Sequence, residues 1–192
     1  MHTLLRTLAV ALALGASQAA PAAVINFNDP ALIEIDNDSG RALYREAGFS
    51  LTGDAAGFLT IDGLGSAMSG GLVLLDGNTV SLMADGGGPF SFSGLVAGRL
   101  DAQSAATLGI VGVFGDNSQQ SAVLALSELR AIPLAMWTGL TELRLTAGGD
   151  LVIDDILVAA AEVPEPVSVA LFLFGMGTLL GARRVAAARA AV

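Results

Sequence analysis

The chain has no cysteine and no lysine, and its single histidine is His2. Without cysteine there is no disulfide framework and no thiol chemistry. His2 lies in an apolar N-terminal stretch, so a histidine-dependent catalytic triad and a histidine-ligated metal are both excluded. All nine basic residues are arginine, against 18 acids. Between residues 24 and 163 the balance is steeper: 17 acids face only Arg41, Arg45, Arg99, Arg130 and Arg144, a net charge of about −12. Such a domain repels phosphates, which excludes nucleic acid as a partner. Aromatics are also few, with one Trp, one Tyr and eight Phe. Residues 24–160 are still numerous enough for one domain with a real core.

The two ends differ from this middle. Residues 1–23, MHTLLRTLAVALALGASQAAPAA, carry Arg6, then an apolar run from Leu8 to Ala16, then small residues. That order predicts a secretory signal peptide cut by signal peptidase. Ser17 and Ala19 fit the −3 and −1 positions, with Ala20 and Ala22 as the second choice. At the other end, Val167–Ala182 is an uncharged, mostly apolar stretch of 16 residues followed by Arg183 and Arg184. As a helix it measures about 24 Å, and arginines reaching to the headgroups lengthen the usable span. It is therefore predicted to be a transmembrane helix whose arginines act as the stop and hold the tail, 183–192, in the cytoplasm. The domain between the two ends then lies outside the inner membrane.

In front of the span stands Val163-Pro164-Glu165-Pro166. Two prolines fix φ and keep this tetrapeptide extended, in a form that a protease can hold. The order of a Pro-Glu-Pro motif, an apolar helix and an arginine cluster resembles the PEP-CTERM sorting signal of Gram-negative bacteria, here residues 161–192. The resemblance implies recognition by an exosortase, a membrane-embedded cysteine protease-transpeptidase. It also implies processing near the motif and delivery to the cell surface or an exopolysaccharide matrix. The tail Val185–Val192 runs further past the arginine pair than such signals usually do.

The middle is rich in glycine, 20 residues between 24 and 160, clustered at Gly63/Gly65, Gly70-Gly71, Gly86-Gly87-Gly88 and Gly148-Gly149. Asp62-Gly63, Asp76-Gly77 and Asp85-Gly86 add turn signals at short intervals. Short apolar segments lie between: 24–27, 48–51, 58–61, 72–75, 79–83, 90–92, 108–114, 140–145 and 151–158. Phe90 and Phe92 alternate with Ser91 and Ser93, and Leu143 and Leu145 with Glu142, Arg144 and Thr146, which is the period of a half-buried strand. The spacing predicts an all-β, antiparallel β-sandwich over residues 24–160. Residues 121–130 stay ambiguous, helical by composition and strand by context. The opening Ile25-Asn26-Phe27-Asn28-Asp29, Trp137-Thr138-Gly139-Leu140 and the closing Ile153-Asp154-Asp155-Ile156 resemble jelly-roll-like ectodomains. That resemblance implies a first and a last strand lying close together.

Three groups of residues carry candidate chemistry. Asp36-Asn37-Asp38-Ser39-Gly40 offers oxygen ligands around a turn, as a structural Ca²⁺ site does. Position 12 of an EF-hand loop counted from Asp36 is Ala47, so no EF-hand is present. An Asx-rich surface turn is the competing reading. Asp154 and Asp155 interrupt an apolar strand, so one of them must approach the core and needs a cation, an arginine or backbone N–H groups. Asp36, Asp38 and Asp154 are thus the candidate metal ligands. Tyr44 and Trp137 are the only candidates for a sugar-stacking surface, although a core position is the favoured reading for Trp137. The expected function is a sorted, non-enzymatic surface or matrix protein with a structural or adhesive ectodomain that contacts exopolysaccharide. A carbohydrate-binding module is the alternative, and an envelope glycoside hydrolase, which needs two facing carboxylates, a more distant one.

Overall fold

The computed structural model describes residues 22–29, 33–62 and 70–160. The predicted leader up to residue 21, the motif 163–166, the span 167–182 and the arginine tail lie outside the described residues. Among the described residues no helix is long and apolar enough to cross a membrane.

The domain is built of antiparallel strands: β1 (Ala22–Ile25), β2 (Ile33–Asp36), β3 (Arg41–Glu46), β4 (Phe49–Asp54), β5 (Phe58–Asp62), β6 (Gly70–Leu74), β7 (Thr79–Ala84), β8 (Phe90–Arg99), β9 (Ala106–Phe114), β10 (Gln119–Leu126), β11 (Arg130–Gly148) and β12 (Leu151–Ala160). Each apolar segment expected from the sequence falls on one of them. The ambiguous stretch is the strand β10 followed by a short link into β11. The pair β2–β3, which flanks the Asp36–Gly40 turn, was not anticipated, because its strands are short and carry charge at nearly every other position.

All twelve strands belong to one hydrogen-bonded network, nine of them along a single path, yet they form two layers. The hinge is the 19-residue β11. Its first half, Arg130–Leu140, pairs with β8, and its second half, Leu140–Gly148, pairs with β9 while Leu143–Thr146 pairs with β7. One layer therefore contains β5, β6, β12, β8 and the first half of β11, with β1 on β12. The other contains β2, β3, β4, β7, the second half of β11, β9 and β10. The Phe49 and Phe90 rings prove the closure. Their strands lie three spacings apart along the path, about 14 Å if flat, yet the rings meet edge-to-face at 5.5 Å. Phe27 and Tyr44 likewise meet across the layers at 5.2 Å.

The crossing point is the segment Trp137-Thr138-Gly139-Leu140. The register slips between Thr138 and Leu140, and Gly139 takes φ +80°, a conformation that costs a side chain dearly. Trp137 then turns inward, against Phe92 at 6.1 Å and over the bare backbone of Gly112 in β9. A Cβ on Gly112 would stand 2.8 Å from the Trp137 ring and 2.7 Å from Leu140 Cδ2. Gly112 is therefore a space requirement: it admits the indole that holds the two layers together.

Gly112→Ala is expected to cost about 1–3 kcal/mol through overpacking. Because Trp137 is the only tryptophan, its fluorescence reads the site directly. The variant should show a lower melting temperature and a red-shifted native emission, and unchanged values of both would refute the packing role.

Candidate functional site

On β11, Glu142, Arg144 and Thr146 follow the two-residue period and face away from the core that takes Leu143 and Leu145. The register sets β7 beside them, with Ser81 opposite Arg144 and Thr79 opposite Thr146. On the next strand Thr52 stands opposite Ser81, and Ser50 opposite Met83. On the other flank, Val111 of β9 pairs with Arg144. The middle of the seven-stranded layer thus presents an outer face on which hydroxyls, with Met83 and Val111 among them, surround one carboxylate and one guanidinium.

The charged pair is held in a fixed geometry. Arg144 Nε donates to Glu142 Oε1 at 2.9 Å and its Nη2 to Oε2 at 2.6 Å, a two-pronged contact. Ser81 Oγ donates to the same Oε1 at 2.5 Å. The Arg144 hydrogen bonds, with that of Ser81, hold Glu142 below the usual carboxylate range. Thr79 and Thr146 share a hydroxyl–hydroxyl bond of 2.8 Å. A carboxylate so engaged is a fixed hydrogen-bond acceptor and cannot serve as a general acid near neutral pH.

The residues singled out from the sequence are distributed differently from expectation. Trp137 is 6% exposed and Tyr44 fully buried, so neither ring face is open to a sugar: Trp137 takes the core position favoured for it, and the stacking assignment of Tyr44 is corrected. Apolar alternation drew both inward, together with Phe27, Phe49, Phe90 and Phe92. The three aspartates assigned to calcium are not brought together. Asp36 and Asp38 sit in the exposed turn between β2 and β3. There the Asp36 carboxylate accepts the N–H groups of Asp38 and Ser39 and the Ser39 hydroxyl, an Asx turn that consumes its oxygens. Asp154 is instead within reach of the charge of Glu46, at the opposite end of β3. Among the described residues no three acidic or histidine side chains converge to hold a metal ion.

Asp154 and Glu46 belong to a structural cluster that sequence patterning did not reveal. Glu46 Oε2 accepts the backbone N–H of Asn26 at 3.0 Å and of Phe27 at 3.2 Å, and the Tyr44 hydroxyl at 3.0 Å. It thereby ties the end of β1 to β3 and holds Phe27 at φ +55°. Burial, then the Glu46 carboxylate, raise the Tyr44 hydroxyl above the ordinary phenol range. Asp154 stands at a bulge of β12, where Asp155 takes φ +45°, and accepts the Asp155 N–H at 2.8 Å. It is 5% exposed. Burial pushes it up to about 6, with the charges of Asp155 and Glu46 adding to the effect against the Asp155 N–H bond.

No family model matches the chain, and no curated protein matches it. Solved structures similar to it include a xylan-binding domain from carbohydrate-binding module family 22, at 11% identity and TM-score 0.43, over 76% of this chain and 97% of that one. Another is the CBM22-1 xylan-binding domain of Paenibacillus barcinonensis Xyn10C, at 14% identity and TM-score 0.41, over 77% and 99%. A third is a family 61 module in complex with β-1,4-galactotriose, at 12% identity and TM-score 0.40, over 64% and 92%. At TM-scores below 0.5, no ligand and no site residue transfers from them to this chain.

The raised pKa of Asp154 sets a pH dependence. Its neutral form is favoured in the fold, so its contribution to stability is fully present below pH 4 and is lost as pH rises through about 6. Asp154→Asn keeps an acceptor for the Asp155 N–H. It should flatten that slope and stabilise the domain at pH 7 by roughly 1–2 kcal/mol in denaturant titrations. A variant less stable at pH 7 than the parent would contradict this.

Proposed function

We propose that this chain is an exported bacterial surface protein, delivered through its PEP-CTERM-like C-terminal segment, whose β-sandwich contacts polysaccharide outside the cell. The observation that carries the delivery half is where the last described strand stops. β12 runs to Ala160, which pairs with Phe90, and Val163 of the Val163-Pro164-Glu165-Pro166 motif stands three residues further on. Processing at the motif therefore leaves every described strand intact. β1 pairs with β12 from Ala22↔Ala159 to Ile25↔Ile156, so the first and last described strands are neighbours.

β1 begins two residues inside the expected leader and separates the two candidate cleavage sites. A cut after Ala19 leaves β1 whole, whereas a cut after Ala22 removes its first paired residue. Mass spectrometry of the protein recovered from the envelope should find Ala20 at the mature N-terminus. A retained leader would overturn the export reading.

The polysaccharide half rests on the outer face around Ser81, Glu142 and Arg144. With the described aromatic rings turned inward, contact with sugar relies on hydrogen bonds from this preset pair and its hydroxyl neighbours. The net charge of −9 favours a neutral glycan, or an anionic one bridged by cations. Hydrolysis is not supported: Glu142 is locked to Arg144, Glu46 is spent on three donors, and Asp154 is closed to solvent. Arg144→Ala should weaken binding on a glycan array or by calorimetry at least tenfold, about 1.4 kcal/mol, with little change in melting temperature. Binding to no glycan, or binding indifferent to Arg144, would refute this face as the contact.

A further inference from the structure

The sandwich has several strand edges, and they are not equally protected. β2 carries Glu34 and Asp36 within four residues. The free edge of β11 carries Arg130 and Pro133. β1 is only four residues long. β10 differs from all of these: Gln119-Gln120-Ser121-Ala122-Val123-Leu124-Ala125-Leu126 has eight residues and no charge, proline or glycine. Among the described residues it pairs with β9 alone. Charges, prolines and shortness are the usual guards against edge-to-edge pairing, and β10 lacks each of them.

Its free side is also set up to pair. Phe114 N–H donates to Ser118 C=O at 3.0 Å, which fixes the alternation along the hairpin. Even-numbered residues of β10 bond to β9, and Gln119, Ser121, Val123 and Ala125 turn their N–H and C=O groups outward. Val123 is 75% exposed, the most exposed large apolar residue of the described chain. Beyond the link after β10, which is fastened by the Arg99 N–H to Ser127 C=O bond, Met136 of β11 is 67% exposed.

We propose that a second copy of this chain pairs antiparallel along β10, about a two-fold axis near Ala122–Val123, and continues the seven-stranded layer into the partner. Charge selects the occupant. A basic partner would be drawn to the acidic turns and not to a neutral strip. Two copies carrying a net charge of −9 each repel over most of their surfaces, but along β10 they meet without one like-charge pair. A two-fold matches each strand with its own antiparallel image, as a closed homodimer requires. An eight-residue edge falls below the roughly 1,200 Å² of a standard stable interface, so the dimer is a reversible one in the micromolar range.

The test is sedimentation equilibrium of the mature chain purified from cells, in neutral detergent, from about 1 to 200 µM. The expected result is a concentration-dependent monomer–dimer equilibrium. Val123→Pro removes an outward N–H while sparing the β9 bonds, and Val123→Lys places like charges across the seam. Each should weaken the dimer at least tenfold, with thermal unfolding verifying that the variants remain folded. A chain monomeric across the whole range would overturn the proposal. So would a dimer that neither substitution weakens, which would assign association to another surface or to the C-terminal apolar segment.

Discussion

Everything in this domain depends on one strand belonging to two layers. β11 enters beside β8 and leaves between β7 and β9, so the sheets that face each other across the core are also hydrogen-bonded in series. A chain without cysteine has no covalent means of fastening two sheets. Here the fastening is a bend at Gly139 and an indole that fits only because Gly112 has no side chain. The face that carries Glu142 and Arg144 starts three residues beyond that bend, so its position is fixed by the crossing itself.

The acid excess has a structural use as well as an electrostatic one. Asp36, Asp54, Asp101 and Asp116 each accept a backbone N–H two residues on, closing their own turns. Asp76 and Asp150 do this across loops: Asp150 takes the Asp76 N–H and Asp76 takes the Gly149 N–H, which interlocks the β6–β7 and β11–β12 connections. Oxygens committed in this way are poor candidates for metal coordination. The aspartate-rich turns therefore explain much of the charge without a cation.

Period-two patterning made most of the strands legible. The Phe90–Phe92 and Leu143–Leu145 alternations point inward as read, and one of the paired aspartates, Asp154, does enter the core, though at a bulge that breaks the pleat and leaves Asp155 half-buried. What patterning does not contain is register. Glu142 and Arg144 are two apart on one strand, but their meeting with Ser81 depends on a pairing 61 residues away in sequence. Glu46 resembles any acid at a strand end until the fold delivers three donors from Asn26, Phe27 and Tyr44. Trp137 and Tyr44 appeared available for stacking because scarcity made them conspicuous. In a core with few aromatics, the same scarcity makes each large ring more valuable inside, where burying it contributes a few kcal/mol.

The account's central claim is that the described strands β1 to β12 form one cooperative folded unit. Limited proteolysis of the full chain, read by mass spectrometry, tests this most directly. The account predicts a resistant fragment that starts no later than Ala22, ends no earlier than Ala160, and unfolds in a single cooperative transition. A resistant core that loses either terminal strand, or one that melts in two steps as separate sheets, would contradict it.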